Sequence, residues 1–303
     1  MKIDPLVQTS LFDVSGWTQD AEFGVFPQGA RAKLAYFAPD NVQVPEIRKG
    51  RRYLFKRSKK SYPDQYWGEV VAYRIGCLIG VTVPPAFGAL NSETGVCAAL
   101  IEWFYEDGVE SFIHAGDFLQ RLRPDFEREV GADHNMADNT KLLSAWAKLD
   151  LLKDNWSKWW AVALAFDALI GNTDRHQDNW GLILATDVAS KTRFARLSPC
   201  FDNGTSLGHE RFVDRIAGWR DHDVKRYIEK GKHHVRWTHR DEGSRGHAAM
   251  LASAVNQWPA VRANLVQMLG FSKDDLIGAL EDLLKLDEAP RDSRRLQHWR
   301  MEP

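Results

Sequence analysis

The sequence has few cysteines and no long apolar run. Its three cysteines, Cys77, Cys97 and Cys200, are scattered through apolar segments, a pattern typical of reduced, buried thiols and not of a disulfide framework or a zinc cluster. No segment approaches the roughly 18 consecutive apolar residues of a transmembrane helix. The N-terminus also lacks the apolar stretch and cleavage site of a secretory signal. We therefore expect a cytoplasmic protein that does not contact a membrane.

The sequence also lacks an excess of either charge. Its 40 Lys and Arg residues balance 41 Asp and Glu residues, for a formal net charge of -1, so no overall field attracts nucleic acid or an anionic membrane. No segment has the pattern of a helix-turn-helix motif, and we expect no direct DNA binding. The expected partner is a small molecule or a protein. At 303 residues and 44% hydrophobic content, the chain can bury the core of one large domain or of two lobes.

The first hundred residues alternate short extended runs with turn signals, and they contain one helical pattern. The helix is predicted over 66–80, where Trp67, Val70 and Ile75 recur near helical spacing. The sequence therefore predicts a small sheet with a single helix over residues 1–102. The predicted extended runs lie at 22–27, 32–38, 51–57, 82–90 and 96–104.

From about residue 116 the hydrophobic period becomes helical. The segments 181–186 and 193–198 predict a β-hairpin within this region. Residues 103–303 are thus predicted to form a larger, mainly helical part, and the fold class is α+β. Trp156, Trp159 and Trp160 are assigned to the core, and the histidine-rich segment 220–247 to a polar surface, with no zinc pattern in its spacing. The predicted helices lie at 117–126, 139–152 and 155–171, with further helices after residue 245.

Two polar segments have the spacing of a phosphotransfer site. The first, GNTDRHQDN at 171–179, follows a predicted helix, and the second, FDNG at 201–204, follows the hairpin. In protein kinases a catalytic aspartate precedes a metal-binding asparagine by five residues, and a second metal-binding aspartate lies on a separate loop that ends in glycine. Asp174, Asn179 and Asp202 have this arrangement. We expect Asp174 to orient the acceptor hydroxyl and the other two to bind Mg²⁺.

Two neighbours of Asp174 have less specific interpretations. His176 either supports the loop through hydrogen bonds or acts on the transferred phosphate. Arg175 is interpreted as an organiser of the loop that pairs with a neighbouring carboxylate. The remaining polar residues of the segment, Asn172, Gln177 and Asp178, receive no assigned chemistry.

The upstream half contains candidates for nucleotide binding. Lys56 ends an apolar strand and Glu69 follows 13 residues later on the single helix, as in the kinase pair that holds a lysine on the nucleotide phosphates. The alternatives are that Lys56 is a surface lysine of the run KRSKK, and that Glu69 is a first-turn residue facing the helix dipole. The strand ending at Glu102–Phe104 predicts a hinge whose backbone meets adenine. The segment FPQGARAK at 26–33 offers Gly29 and backbone N–H groups as a phosphate cradle.

Together these segments resemble the HipA-like kinases, bacterial serine/threonine kinases with a bilobal protein-kinase-like fold, several of which are toxins of toxin–antitoxin systems. GNTDRHQDN and FDNGTSLG carry the resemblance, with GARAK, YLFK and IEWF before them, and it covers roughly residues 23–285. It implies ATP and Mg²⁺ as cofactors and a protein as substrate. Asp174 is the implied catalytic residue with His176 beside it, and Asn179 and Asp202 are the implied metal ligands. The implied nucleotide contacts are Gln28, Gly29, Ala30, Arg31, Lys33, Lys56, Glu69, Glu102, Trp103 and Phe104.

The sequence departs from HipA in two places. Its phosphate loop begins near residue 24, without the small extra N-terminal subdomain of HipA, so the chain is similar to short, kinase-core-only members such as HipT. The missing piece can be a separate protein in such members, and an antitoxin or a small HipS-like partner is therefore expected. Phe26 occupies the position of the HipA serine whose autophosphorylation stops the enzyme. We do not expect autophosphorylation at that position.

Two other functional classes remain open at this stage. Phosphoinositide and other small-molecule kinases also use an Asp-Arg-His loop that ends in Asn, although the chain has no evident basic amphipathic face for a membrane. A nucleotide-binding pseudokinase or scaffold would have lost a catalytic or metal residue, and none is lost in this sequence.

Overall fold

A computed structural model describes residues 5–22, 33–59, 61–187, 189, 191–209 and 216–286. The chain forms two compact units. The first contains the described residues up to Trp103, those of the range 207–220, and those from Phe271 onward; the second contains 104–206 and 221–270. The sequence predicted a single boundary between the two parts, after residue 102. In the structure, the described residues of 207–220 and those from Phe271 onward also belong to the first unit. No helix among the described residues is both long and apolar enough to cross a membrane.

The first unit is built on a six-stranded sheet and one long helix. The strand order is β1-β5-β6-β4-β3-β2, and all neighbours are antiparallel except β1 and β5. The helix, α1, covers Gln65–Ile79 and ends at Gly80, whose φ of 74° is readily adopted by glycine. The strands are β1 Phe12–Asp13, β2 Thr18–Gln19, β3 Lys33–Phe37, β4 Arg52–Lys56, β5 Ala86–Asn91 and β6 Val96–Glu102.

The predicted elements of this unit are largely confirmed. Helix α1 lies within one residue of the predicted 66–80 at each end. Strands β3, β4, β5 and β6 lie at the predicted runs 32–38, 51–57, 82–90 and 96–104. The predicted run 22–27 lies outside the described residues except for Glu22.

The C-terminal segment completes the core of the first unit. Leu283 and Leu286 join Tyr66, Trp67 and Val70 of α1 in one apolar cluster. In addition, the buried guanidinium of Arg74 makes two bonds to Asp282, at 3.1 and 2.6 Å, and the backbone N–H of Gln8 donates to the same carboxylate at 2.8 Å. Residues from both ends of the described chain therefore hold α1 in place.

The second unit combines a small sheet with helices. The antiparallel strands β7 Ser111–His114, β8 Gly181–Thr186 and β9 Arg193–Leu197 have the order β7-β8-β9, which confirms the predicted hairpin. The predicted helices at 117–126, 139–152 and 155–171 are present with shifted ends as α2, α3 and α4. The helices of this unit are α2 Ala115–Leu122, α3 Met136–Lys148, α4 Trp156–Ile170, α5 Asp221–Lys230, α6 His247–Gln257 and α7 Arg262–Met268. A further helix, α8 Lys273–Leu280, belongs to the first unit.

The core of the second unit surrounds α4. Trp160 and Leu164 of α4 are buried with Trp180, while Trp156 and Trp159 pack against the same cluster. The assignment of the three α4 tryptophans to the core is confirmed. The described part of the chain is therefore α+β, with a β-rich N-terminal part and a mainly helical C-terminal part.

The prediction that segment 220–247 is a polar surface is wrong at His233, Val235 and His247, which are buried. Helix α5 has no buried residue, but His233 and His247 are buried. A histidine side chain is neutral over much of the physiological range, so it can be buried where its ring nitrogens find partners, and the surrounding charged residues hid this in the sequence.

Candidate active site

The segment 171–179 forms a tight loop between α4 and β8. Gly171 ends α4 with a φ of 65°. The side-chain oxygen of Asn172 then accepts a hydrogen bond from the backbone N–H of Asp174 at 3.0 Å, and the N–H of Asn179 donates to the carbonyl of His176 at 2.9 Å. These short-range bonds fix the backbone on both sides of Asp174, whose side chain is half-buried.

A buried ion pair lies beneath this loop. Asp167, in the last turn of α4, accepts two hydrogen bonds from Arg175, at 2.7 and 3.1 Å, and both side chains are 0% exposed. Burial alone would raise the pKa of Asp167, but the Arg175 guanidinium and a hydrogen bond from His233 outweigh it and hold that pKa well below its usual value. The carboxylate therefore stays ionised, and the interpretation of Arg175 as an organiser paired with a carboxylate is confirmed.

The same guanidinium reaches the second polar segment. Arg175 donates to the carbonyl of Asn179 at 3.2 Å, to the carbonyl of Phe201 at 2.5 Å and to the side-chain oxygen of Asn203 at 2.8 Å. Burial would lower the pKa of Arg175, but Asp167 raises it, with smaller contributions from Cys200 and Asp202. Arg175 thus bonds both chain neighbours of Asp202, the backbone of Phe201 and the side chain of Asn203, and holds them next to the loop of Asp174.

A second link joins the two loops. The hydroxyl of Thr205 donates to the side-chain oxygen of Asn172 at 3.2 Å, and the amide of Asn172 donates to Asp167 at 3.0 Å. Asn203 shapes the turn by donating to the carbonyl of Cys200 at 2.9 Å. Asp202 has a φ of 56°, in the left-handed region that few non-glycine residues adopt. The surrounding hydrogen bonds hold it there.

Asn179 and Asp202 have the chemistry of magnesium ligands. The side-chain amide nitrogen of Asn179 donates to the carbonyl of Asp174 at 2.7 Å, which directs its oxygen away from that carbonyl. Magnesium binds one or two protein oxygens of this kind and completes its shell with water and phosphate. The residues present therefore fit Mg²⁺.

His176 is engaged in loop structure. Its Nδ1 accepts a hydrogen bond from the backbone N–H of Asp178 at 3.1 Å, and its ring lies 5.8 Å from that of His234. This contact favours the interpretation of His176 as a support of the loop, and its proposed action on phosphate stays a prediction.

Sequence reasoning assigned nothing to Gln177 and Asp178, yet both hold the loop. Asp178 pairs with Arg128 at 2.8 Å and accepts a hydrogen bond from it at 2.9 Å. The side-chain amide of Gln177 donates to the backbone carbonyl of Arg128, and the backbone carbonyl of Gln177 accepts from the N–H of Gly116 at 2.9 Å. These bonds fasten the loop to the start of α2 and to the segment that follows it.

The first unit contains the predicted lysine–glutamate pair. The Nζ atom of Lys56 lies 2.5 Å from Oε1 of Glu69, and both side chains are 3% exposed. Because Lys56 is buried, the surface-lysine alternative is wrong. The first-turn alternative for Glu69 is also wrong, since the first turn of α1 has no acidic residue. Lys33 lies opposite Lys56 in the β3–β4 register, and Gln28, Gly29, Ala30 and Arg31 lie outside the described residues.

The predicted hinge is already well bonded within the first unit. The N–H groups of Glu102 and Trp103 donate to the carbonyls of Pro85 and Arg52, at 2.8 and 3.0 Å. The Trp103 carbonyl accepts from Arg51 at 2.7 Å. Backbone recognition of adenine by Glu102 and Trp103 through these groups would therefore require their bonds to be exchanged.

Phe104 has a different environment. Its ring stacks on that of Phe201, with centroids 5.0 Å apart and an angle of 28°, and it meets Phe112 edge-on at 5.1 Å. The residue predicted to end the hinge thus packs directly against the residue that precedes Asp202.

Comparisons with known proteins identify the family and the fold of the chain. The family model described as "HipA-like C-terminal domain" matches residues 26–262. The crystal structure of the Helicobacter pylori proinflammatory kinase CtkA has a TM-score of 0.59 and 15% identity, over 95% of this chain and 96% of that one. HipA of a Shewanella oneidensis toxin–antitoxin system, solved with HipB and operator DNA, has a TM-score of 0.42 and 12% identity, over 95% of this chain and 65% of that one. No curated protein matches the chain.

Proposed function

Because the chain belongs to the HipA-like C-terminal domain family, we propose that it is an ATP- and Mg²⁺-dependent kinase that phosphorylates serine or threonine side chains of proteins. The family and the fold support a kinase of the HipA type. The observation that carries the more specific proposal is Arg175. Its one buried guanidinium binds the loop of Asp174 and Asn179 and also both chain neighbours of Asp202, the backbone carbonyl of Phe201 and the side chain of Asn203.

The second unit supplies the groups for the acceptor and the metal. Mg²⁺·ATP, when bound, supplies the phosphoryl group and neutralises its charge. Asp174, half-buried on a fixed backbone, would orient the acceptor hydroxyl and accept its proton as the new oxygen–phosphorus bond forms and the bond from the γ-phosphorus to the leaving ADP breaks. Asn179 and Asp202 would hold the metal through their side-chain oxygens.

The first unit supplies a buried cation for the phosphates. Glu69 holds the ammonium of Lys56 at 2.5 Å, so little side-chain entropy remains to be lost when Lys56 binds an anion. Lys33, on the neighbouring strand opposite Lys56, is a second candidate cation.

A transfer assay tests this proposal. The purified protein is incubated with γ-labelled ATP, Mg²⁺ and a heat-treated bacterial lysate, beside Asp174→Ala, Asp202→Ala and the exposed control Asp274→Ala. We expect labelled protein bands with wild type and the control and none with the other two, and acid hydrolysis of the bands should yield phosphoserine or phosphothreonine. Equal labelling by all four proteins would contradict the assignment of the site.

The competing functions give different results in the same assay. Label found in phosphoinositide vesicles but not in protein would identify a lipid kinase. Tight binding of ATP by calorimetry without transfer to any acceptor would identify a pseudokinase or scaffold.

On the family resemblance alone we further propose that the protein inhibits growth and has a protein partner. Expression of the wild type should slow bacterial growth relative to Asp174→Ala, and an antitoxin or a small HipS-like protein should relieve that effect. Equal growth of the two strains would argue against a toxin.

A further inference from the structure

His233 lies 66 residues after Asp167 in the chain and contacts it directly. Its Nε2 is 3.0 Å from Oδ2 of Asp167, and both side chains are 0% exposed. Because Nδ1 of His233 accepts a hydrogen bond from the N–H of Val235 at 3.2 Å, that nitrogen carries no proton and Nε2 carries one. His233 is therefore a hydrogen-bond donor to Asp167.

Asp167 is fully satisfied by three side chains. Its Oδ1 accepts from Asn172 at 3.0 Å and Arg175 at 2.7 Å, and its Oδ2 accepts from Arg175 at 3.1 Å and His233 at 3.0 Å. A buried carboxylate that loses one of several donors becomes free to turn toward the others, and it leaves an unpaired oxygen in a dry environment. The hydrogen bond from His233 thus fixes the orientation in which the Asp167 carboxylate accepts the hydrogen bonds of Arg175.

Arg175 has no spare donor to absorb such a change. A guanidinium has five N–H bonds, and all five of Arg175 are used: two on Asp167, two on the backbone carbonyls of Asn179 and Phe201, and one on Asn203. Any rotation of Arg175 toward a displaced Asp167 therefore lengthens bonds to the segments that carry Asn179 and Asp202.

From these contacts we propose that His233 is a positioning residue, which acts through Asp167 and Arg175 to set the separation of the two loops that would bind the metal. The proposal rests on the proposed function for its consequence in catalysis. Its effect on metal binding is separate, because the three side chains hold the two loops whether or not phosphate is transferred. Segment 232–235, which reads as surface in the sequence, thus becomes part of the site's framework.

The test measures Mn²⁺ binding in the presence of a non-hydrolysable ATP analogue, by electron paramagnetic resonance. His233→Leu removes the donor while keeping an apolar side chain, His233→Gln keeps a donor, and His239→Leu is the matched control because His239 is exposed in the same segment. Loss of one hydrogen bond to a charged group predicts about tenfold weaker Mn²⁺ binding in His233→Leu. Binding in His233→Gln should stay within about threefold of wild type, and in His239→Leu it should be unchanged.

Transfer activity is measured on the same proteins. We expect the Mg²⁺ concentration for half-maximal transfer by His233→Leu to rise in parallel with its Mn²⁺ dissociation constant. A purely structural role would lower the folded fraction and the melting temperature but leave the metal affinity of the folded protein unchanged, and that result would overturn the proposal. If His233→Leu does not fold, His233→Asn, whose amide ends short of Asp167, replaces it.

The two proposals fail in different ways. Wild type that binds Mn²⁺ with the nucleotide analogue but transfers no phosphate, while His233→Leu binds more weakly, would contradict the kinase function and support the positioning role. If wild type transfers phosphate and His233→Leu is indistinguishable from it, the positioning role is contradicted and the kinase function is supported. Absence of Mn²⁺ binding by wild type would overturn both.

Discussion

Mild acid should destabilise the second unit through histidines whose pKa values are lowered by burial. The ordinary pKa of a histidine is 6.5, and burial, the largest cause, lowers the pKa of His234 and of His247 to about 4. His176 and His233 lower the pKa of His234 further, and His233 does the same for His247, while Asp167 opposes it. The unfolded chain therefore binds protons near pH 6 that the folded chain does not bind.

The sign and size of the effect follow from proton linkage. A histidine with a lowered folded pKa destabilises the fold as pH decreases from 6.5 toward 4, because protons bind the unfolded state preferentially in this window. Between about pH 7.5 and about pH 5.5, each histidine removes roughly 1 to 1.5 kcal/mol, so the pair removes roughly 2 to 3 kcal/mol. His134, fully buried with its pKa held well below the usual value by burial and by neighbouring histidines, acts in the same direction. Asp167, with a lowered pKa, acts only at much lower pH.

Urea unfolding followed by tryptophan fluorescence measures this directly, because Trp160 and Trp180 are both buried in the core of the second unit. The midpoint should fall steadily from about pH 7.5 to about pH 5.5, in the range where carboxylates stay ionised. Because His134, His234 and His247 all contribute in this window, His247→Leu should lose about a third of this pH dependence, whereas the exposed control His222→Leu should keep all of it. A midpoint that does not change over this range, or an unaltered dependence in His247→Leu, would refute the reasoning.

Two further predictions concern the first unit. Lys56→Met should raise the KM for ATP or lower kcat, so that kcat/KM falls by about tenfold or more, because one charge-assisted contact to phosphate is lost. Lys59→Met, in the same basic run, is the control. Equal effects of the two substitutions would contradict the assignment of Lys56. Asp282→Asn leaves the buried Arg74 guanidinium without its carboxylate and should cost about 3 kcal/mol in the free energy of unfolding. Thermal melting checks this value, and an unchanged melting temperature would show that the contact does not stabilise α1.

The sequence predicted the parts of the fold that have strong local patterns. Helix α1, helix α4 and the β8–β9 hairpin were found because their apolar spacing and end signals are local properties of the chain. The return of residues 271–286 to the first unit was not found, because the pairing of Asp282 with Arg74 joins residues 208 positions apart. No local pattern encodes such a contact.

The framework of the candidate site was partly available from the sequence. Asp167 is a lone carboxylate in the apolar stretch AVALAFDALIG, and burying a carboxylate is costly unless a cation or several donors meet it. That argument predicts a buried partner, and Arg175, eight residues later, is the nearest arginine downstream. The third member, His233, could not be identified in this way, because several histidines in 220–247 have the same chemistry and only the fold selects one.

The polar side chains of GNTDRHQDN form two groups, those available for chemistry and those that hold the loop. Two of its polar side chains, Asp174 and Asn179, are the candidates for chemistry, while Asn172, Arg175 and Gln177 are buried and bonded to the protein itself. A loop that presents a carboxylate at a fixed place needs its own backbone polar groups satisfied, and a short loop can do so only with its own side chains and those of neighbouring segments. The neighbouring segments here are α4, residues 200–205 and residues 233–235, which are widely separated in sequence. The geometry of Asp174, Asn179 and Asp202 therefore forms only when the second unit as a whole has folded, and a fragment that ends before His233 should not bind the metal even though it contains both motifs.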